Sequence, residues 1–440
     1  MVHSLRLSQC MIVRNEEKNI RRALEWGKGI FHEQIVVDTG SDDRTVELAR
    51  NMGAKVFYFP WIDDFSAAKN FAINQAKGDW IVFLDADEYY TEESTAKIIP
   101  ILLKIENGIF PTEKPHTVRS ALVNLDEKKQ VISTGIHDRI FRNSTTLRYH
   151  NRIHESLYNL DGNNLIVVDA SKELTIYHTG YTKQMYQETC KLERNIRILR
   201  SVLEEQPEDY NAWSYLGDSL FAMEILDEAE QAYLHVIANG DSVLSEGRKE
   251  AAFSNYIKLK YLSDSGNEEE LFNIYEKAKA CGCKSPDLEF WFGYWYYKKE
   301  KKNDAVLYFE KALQLLDQYQ GSSFLDISSG LAEVYQILFC TYREFGRLSE
   351  MIRYGVLSLR LNLYLMPILQ DILCILKKEQ GEIINGDITF SFLQKLYDMS
   401  SLKNKLFLLK ASEMADFSAL KNKVYDLLTS EEKVALENND

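Results

Sequence analysis

The chain has 440 residues, 45% of them hydrophobic and 27% charged, with a formal net charge of −14. That is apolar material for more than one core, and so acidic a balance argues against broad binding to nucleic acid or anionic lipid, a local basic pocket excepted. With 21 glycines and 7 prolines, disorder and loop-rich β architecture are disfavoured and helices favoured. The opening MVHSLRLSQC runs straight into a strand-like segment, with no apolar h-region and no apolar stretch long enough to span a bilayer. Six scattered cysteines, Cys10, Cys190, Cys281, Cys283, Cys340 and Cys374, fit a reducing compartment rather than a disulfide framework. The expectation is a soluble cytoplasmic protein.

Residues 1–185 alternate short apolar runs with helical stretches. Leu7–Val13, Gln34–Asp38, Lys55–Phe59 and Trp80–Leu84 read as buried strands. Between them, Glu17–Trp26, Asp43–Met52 and Phe65–Lys77 carry helix-compatible periodicity. This alternation predicts a mostly parallel sheet covered by helices on both faces, with ligands bound at the carboxyl ends of the strands. Beyond Pro115 the text turns strand-like (TVRSALVNL, then VISTGIHDRIFRN) and reads as the acceptor side of the same domain.

Asp85-Ala86-Asp87 directly follows the apolar run WIVFL. In an extended chain residues i and i+2 point the same way, so two hard carboxylates would line one side of a cleft and suit a divalent cation with a diphosphate. Asp-x-Asp is also common in exposed turns; the position after a buried strand raises this one above that background. Asp38 ends its run in VVDTGSDDRT and lies too far ahead of the next helix to cap it, whereas Ser41, Asp42 and Asp43 are candidate caps. The first strand is not followed by G-x-G-x-x-G, and the chain lacks G-x-x-x-x-G-K-[ST], which excludes the usual dinucleotide and P-loop fingerprints.

As a block, residues 8–90 resemble the nucleotide-sugar-binding half of family 2 glycosyltransferases of the GT-A fold. The matching text is CMIVRNEEKNI, VVDTGSDDRTVELA, FSAAKNFAI and GDWIVFLDADE, in order. The resemblance implies that Val13 and Asn15–Glu17 line the nucleoside pocket and that Asp38 reads uracil. It also implies that Asp85, Ala86 and Asp87 bracket the metal and diphosphate of a UDP-sugar, with Lys69 a diphosphate contact or else a solvated helical lysine. Five of the eight histidines, His116, His137, His150, His154 and His178, fall in the following segment. By the same resemblance Glu155 is the general base and His178 joins Asp85 and Asp87 on the cation, Mn²⁺ or Mg²⁺. An imidazole beside two carboxylates favours Mn²⁺. For His150 and His154 a structural role is equally open. Arg139 and Arg142 face either the sugar phosphate or solvent.

From about Gln184 the chain is nearly all helix-forming, and it repeats. Gly217, Ala229, Tyr233 and Val236 form one set, Leu259, Leu271, Tyr275 and Ala278 a second, and Gly293, Ala305, Phe309 and Ala312 a third. The third set follows the second by 34 residues at every position, and the second follows the first by 42, leaving room for an insertion around Asn239–Gly247. This resembles the tetratricopeptide repeat, with Trp213, Leu216 and Gly217 also in pattern. FGRLSEMIRYGVLSLRLN is a looser fourth unit, and the helices beyond it are expected to close the stack. Cys281-Gly282-Cys283 has no partner pair at zinc spacing and reads as a turn between helices.

The sequence therefore predicts an α/β GT-A (Rossmann-like) catalytic domain, 1–185, followed by an all-α tetratricopeptide-like repeat domain, 186–440. The two-part layout resembles the sublancin-type peptide S-glycosyltransferases. That resemblance implies inverting, metal-dependent transfer from a UDP-sugar onto a Cys or Ser side chain of a bacteriocin-type precursor peptide held by the repeats, in a homodimer. Two rivals stand beside it: transfer to a cell-surface carbohydrate or lipid-linked acceptor, and a non-catalytic repeat scaffold. A nucleotidyltransferase would want a Gly-rich basic loop where RNEEKN stands.

Overall fold

The apolar run Leu7–Val13 forms β1, buried at every position except Ile12. It is flanked by β2 (Glu33–Asp38), β3 (Lys55–Tyr58) and β4 (Trp80–Phe83), which lie parallel in the order β3-β2-β1-β4. Helices α1 (Ile20–Glu25), α2 (Thr45–Asn51) and α3 (Phe65–Gln75) connect them, so the predicted elements are present with their ends shifted by a few residues. Residues of β4 divide by parity: Trp80 and Val82 pack with Ile98, Leu102 and Ile105, while Ile81 and Phe83 pack with Ala72, Ile73 and Tyr149. A strand buried on both faces needs such a continuous apolar run. Ile98, Leu102 and Ile105 belong to α4 (Glu92–Glu106), which Thr91 caps by accepting from the Ser94 amide. The structure, a computed structural model, describes residues 5–108, 114–179, 191–239, 246–319, 325–378 and 382–437. Gly180, Tyr181, Cys190 and most of the Asn239–Gly247 insertion lie outside them.

The second half of the sheet is mixed rather than parallel. It contains β5 (Glu88–Tyr90), β6 (Thr117–Leu125), β7 (Val131–Arg142), β10 (Val167–Asp169) and β11 (Thr175–His178). From β4 the order continues β7-β6-β11-β5, with β10 also paired to β6. β7 is antiparallel to both β4 and β6, and β11 is parallel to β6 and antiparallel to β5. The antiparallel β6–β7 hairpin needs only a short turn, so this stretch contains no crossover helix. β8 (Leu147–His150) and β9 (Ser156–Asn159) make a separate antiparallel pair. The GT-A-like fold expected from the sequence is present and is followed by helices, but its sheet is mixed where a mostly parallel one was expected.

The chain divides into two compact units, one of the described residues up to Cys283 and one from Lys284 onward. The division falls inside the helical region, beyond the 185/186 boundary read from the sequence. In the first unit the sheet is joined by α5 (Lys191–Glu205), α6 (Tyr210–Ala222), α7 (Leu226–Ala238), α8 (Glu246–Leu262) and α9 (Glu268–Ala280). Asp209 and Asn267 cap α6 and α9 by accepting from the amides of Ala212 and Glu270, as short polar side chains do at helix starts. Gly217 lets α6 and α7 meet: a Cβ there would stand 2.7 Å from Tyr233 Cε1. Cys281–Cys283 is the expected turn, with Gly282 at φ 77° and the Cys283 amide donating to Ala278 O.

The second unit is helical throughout its described residues: α10 (Pro286–Lys298), α11 (Lys302–Gln318), α12 (Asp326–Glu344), α13 (Leu348–Leu361), α14 (Met366–Leu376), α15 (Glu382–Leu393), α16 (Leu402–Met414), α17 (Ser418–Asp426) and α18 (Ser430–Glu437). The repeat recurs at Gly293, where a Cβ would meet Phe309 Cδ1 at 2.6 Å. All twelve residues of the three repeat sets are buried, which is what helix-crossing positions require. Among the described residues no helix is long and apolar enough to cross a membrane.

Candidate active site

Parallel pairing sets Val13 beside Asp38 at the carboxyl ends of β1 and β2, and β4 ends on the same side of β1. The loops beyond these ends are laced together. Asn15 adopts a left-handed φ of 58°; its amide donates to Ser41 Oγ and its Oδ1 accepts from the Asp42 amide, both at 2.9 Å. The Glu17 amide donates to Asp43, while its carboxylate accepts from the Arg44 amide. Asp43 also takes the Thr45 amide at the start of α2. These bonds hold its carboxyl below the usual range although burial opposes them. Asp38 is 3% exposed and accepts from the Gly40 and Ser41 amides at 3.2 Å, so it shapes its own loop.

The Asp85-Ala86-Asp87 segment is a turn, closed by the Glu88 amide donating to Asp85 O, not the extended chain assumed from the sequence. Ala86 packs into the core with Met11, Val13 and Ile20, and the two carboxylates find different partners. Asp85, its side chain 42% exposed, lies 3.5 Å from Lys69 Nζ and 3.3 Å from Arg139 Nη2. Burial would raise its pKa, but Lys69, Arg139 and His178 together hold it well below the usual carboxylate range. Glu88 pairs with Arg139 and takes the Asp85 amide at 3.1 Å. Burial, reinforced by Asp85 and Asp87, pushes Glu88 up against the pull of Arg139.

Lys69 is not solvated. Its side chain is 3% exposed, with Nζ 2.6 Å from Glu155 Oε1 and 5.2 and 5.1 Å from the ring centroids of Phe83 and Tyr149. Burial alone would lower its pKa, and Asp85 and Glu155 outweigh that and raise it. The lysine thus bridges the β4 turn to the loop carrying Glu155, whose side chain is 16% exposed. Helix α3 is fixed to the same loop: the Phe65 amide donates to Arg152 O, and Ser66 Oγ donates to Asn151 O.

Asp87 meets His178, with Oδ2 3.2 Å from Nε2. His178 Nδ1 lies 2.7 Å from Asn124 Oδ1, while Asn124 Nδ2 donates to Ser133 Oγ. An amide oxygen only accepts, so Nδ1 carries the proton and Nε2 turns its lone pair toward Asp87. Two acceptors that close call for a positive charge between them. A proton meets that need, and the imidazole pKa is raised by the Asp87 bond although burial opposes it. A divalent cation meets it equally, with Asn124 as the outer partner that orients a histidine ligand. The donor set therefore fits a cation that takes its other positions from diphosphate and water. Among the described residues no cluster of three or more His, Cys, Asp or Glu side chains is already gathered as a metal cage; Asp85 is held instead by the two basic side chains.

Glu16 lies next to this pair, its carboxylate accepting from Asn19 Nδ2. Burial, with Asp87 and Asp85 adding to it, pushes its pKa up to about 7 against the Asn19 bond. Arg142 turns away from the site, donating to Pro115 O and pairing with Glu106 beneath Trp80. His116 is structural, its Nδ1 accepting the Ile166 amide. His150 is exposed and bonded to Asn151. The sequence did not reveal Glu88, Asn124 or Tyr149. The alternation along β6 and β7 was the available signal for Asn124 and Arg139.

Residues 8–112 match the family described as glycosyl transferase family 2. The chain is 34% identical to a TPR repeat-containing protein of Synechococcus elongatus, over 49% of this chain and 52% of that one. It is 29% identical to the SPbeta prophage-derived glycosyltransferase SunS of Bacillus subtilis, over 50% of each chain. The chain spans about half the length of these curated relatives. Among solved structures, S. aureus TarS 1-349 in complex with UDP-GlcNAc aligns over 73% of this chain and 95% of that one, with 16% identity and a TM-score of 0.32. The segment that matches the glycosyl transferase family 2 model, residues 8–112, contains the β4 turn with Asp85 and Asp87.

Proposed function

We propose that this chain is an inverting glycosyltransferase that moves a sugar from a UDP-sugar onto a Cys or Ser side chain of a bacteriocin-type precursor peptide. The observation that carries the reading is the bridge Asp85–Lys69–Glu155, which ties the carboxyl end of β4, within the segment that matches glycosyl transferase family 2, to a second carboxylate beyond that segment. Asp87 and His178, with Asp85 beside them, would hold Mn²⁺ or Mg²⁺, which when bound neutralises the donor diphosphate. Glu155 accepts the proton of the attacking thiol or hydroxyl, while the new bond forms at the sugar's C1 and the bond to the diphosphate oxygen breaks on the opposite face. Lys69 keeps the Glu155 carboxylate in place during this displacement. Val13 and Asp38 end β1 and β2, and Asn15 and Glu17 lie on the loop beyond β1; together they would enclose the nucleoside, Asp38 by shaping the turn that carries Ser41.

The peptide acceptor is supported by the layout shared with sublancin-type enzymes and by the helical hairpins, a common platform for extended polypeptides. A homodimer and a cytoplasmic location belong to the same reading. Titrating UDP into the protein with Mn²⁺ tests it: binding that needs the cation and is lost in Asp87→Ala supports the reading, and absence of UDP binding returns the chain to the scaffold alternative.

A further inference from the structure

The loop that carries Glu155 is gripped by helices of the repeat region within the same compact unit. Arg152 pairs with Glu205 at 2.7 Å and reaches Ser201 Oγ on α5. Arg197 pairs with Asp63 at 2.7 Å, and Arg194 lies 4.9 Å over the Phe65 ring. The tightest contact is planar. The His154 imidazole stacks on the Tyr215 ring of α6, centroids 3.7 Å apart and planes 10° apart, and the Arg248 guanidinium of α8 lies 4.0 Å from the Tyr215 centroid. Arg248 is itself fixed by Asp218 and by Ser214 Oγ.

His154 has a φ of 53° and Asn151 one of 74°. Non-glycine residues hold left-handed backbone only where their surroundings over-determine it. His154 directly precedes Glu155, so relaxation of its backbone would swing the carboxylate away from Lys69. We propose that Tyr215 is a positioning residue: by stacking on His154 it makes the repeat helices complete the catalytic loop and hold Glu155 in place. The inference rests on the glycosyl-transfer reading, in which Glu155 is the base. It gives the helical region a role in the chemistry besides acceptor recruitment.

The test compares full-length wild type with Tyr215→Phe, which keeps a ring, and with Tyr215→Leu and His154→Leu, which remove the stack from either side. Two quantities are read: hydrogen exchange across residues 151–156, and kcat and KM for UDP release. In both leucine variants loop exchange is expected to rise and kcat to fall roughly ten- to a hundredfold with donor KM unchanged, while Tyr215→Phe behaves as wild type. A leucine variant with intact helicity, wild-type exchange and wild-type kcat overturns the inference. Should Tyr215→Leu fail to fold, His154→Leu, which leaves the helices untouched, decides. Absence of UDP release by wild type with every donor would break the glycosyl-transfer reading instead, and the exchange measurement would still judge the stack.

Discussion

Lys69 and Glu155, far apart in sequence, meet at 2.6 Å with the lysine almost wholly buried. The lysine comes from the helix before β4, and the glutamate from a loop after β8. Their pairing therefore requires the sheet, α3 and the loop to be assembled together, with Asp85 on the other side of the ammonium.

Removing that ammonium leaves Glu155 with an unpaired, mostly buried carboxylate. Lys69→Met, close in volume, is expected to destabilise the protein by about 3 kcal/mol. Denaturant unfolding checks this, and a change within about 0.5 kcal/mol would show the bridge to be a surface-like pair.

The orientation of His178 depends on one acceptor. Asn124→Leu removes the oxygen that receives Nδ1–H, and Mn²⁺ affinity measured with UDP present is expected to fall roughly ten- to a hundredfold. Unchanged affinity would mean that His178 does not ligate the cation.

Burial, aided by Arg248, pushes the His154 pKa down to about 4, with Glu155 and Asp218 opposing. Between its ordinary 6.5 and about 4 the unfolded chain binds the extra proton, so stability is present above 6.5 and lost as pH falls through that window. His154 keeps an exposed edge, so solvent screens the effect, and relative to His154→Gln the wild type is expected to lose only about 1 kcal/mol on acidification from pH 6.5 to 4. Parallel stability curves for the two proteins would contradict this.

Alanine is the better helix former, yet Gly217→Ala is expected to destabilise the first unit by about 1–3 kcal/mol, because the new Cβ meets the buried Tyr233 ring. Thermal unfolding decides; a gain in stability would show that α6 and α7 can separate at no cost.

β1, β2 and β4 were legible because they are buried on both faces and so carry apolar runs, whereas β3, read from the sequence as buried, is an edge strand with Lys55 and Tyr58 exposed. The repeats were legible because Gly217, Gly293 and their partners recur at fixed spacing wherever helices cross. The site was legible only in part. Asp85 and Asp87 stand out by position, but the turn that sends one to Lys69 and the other to His178 is set by the Glu88 amide, which no local pattern announces. Arg139 and Arg142 lie on one strand; only the pairing of β7 with β4 decides that Arg139 meets Asp85 and Arg142 meets Glu106. The His154–Tyr215 stack joins the two halves of the sequence, and neither half signals it alone.

The most direct measurement is UDP release from a panel of UDP-sugars with Mn²⁺ or Mg²⁺ and with Cys- or Ser-containing peptides, comparing wild type with Glu155→Gln. Cation-dependent release is expected, with Glu155→Gln lowering kcat roughly 10²–10⁴-fold for a Ser acceptor. The loss should be smaller for a Cys acceptor, whose thiol ionises more readily. Release that is indifferent to the cation, or a Glu155→Gln variant as fast as wild type on Ser peptides, would contradict the assignment of this site.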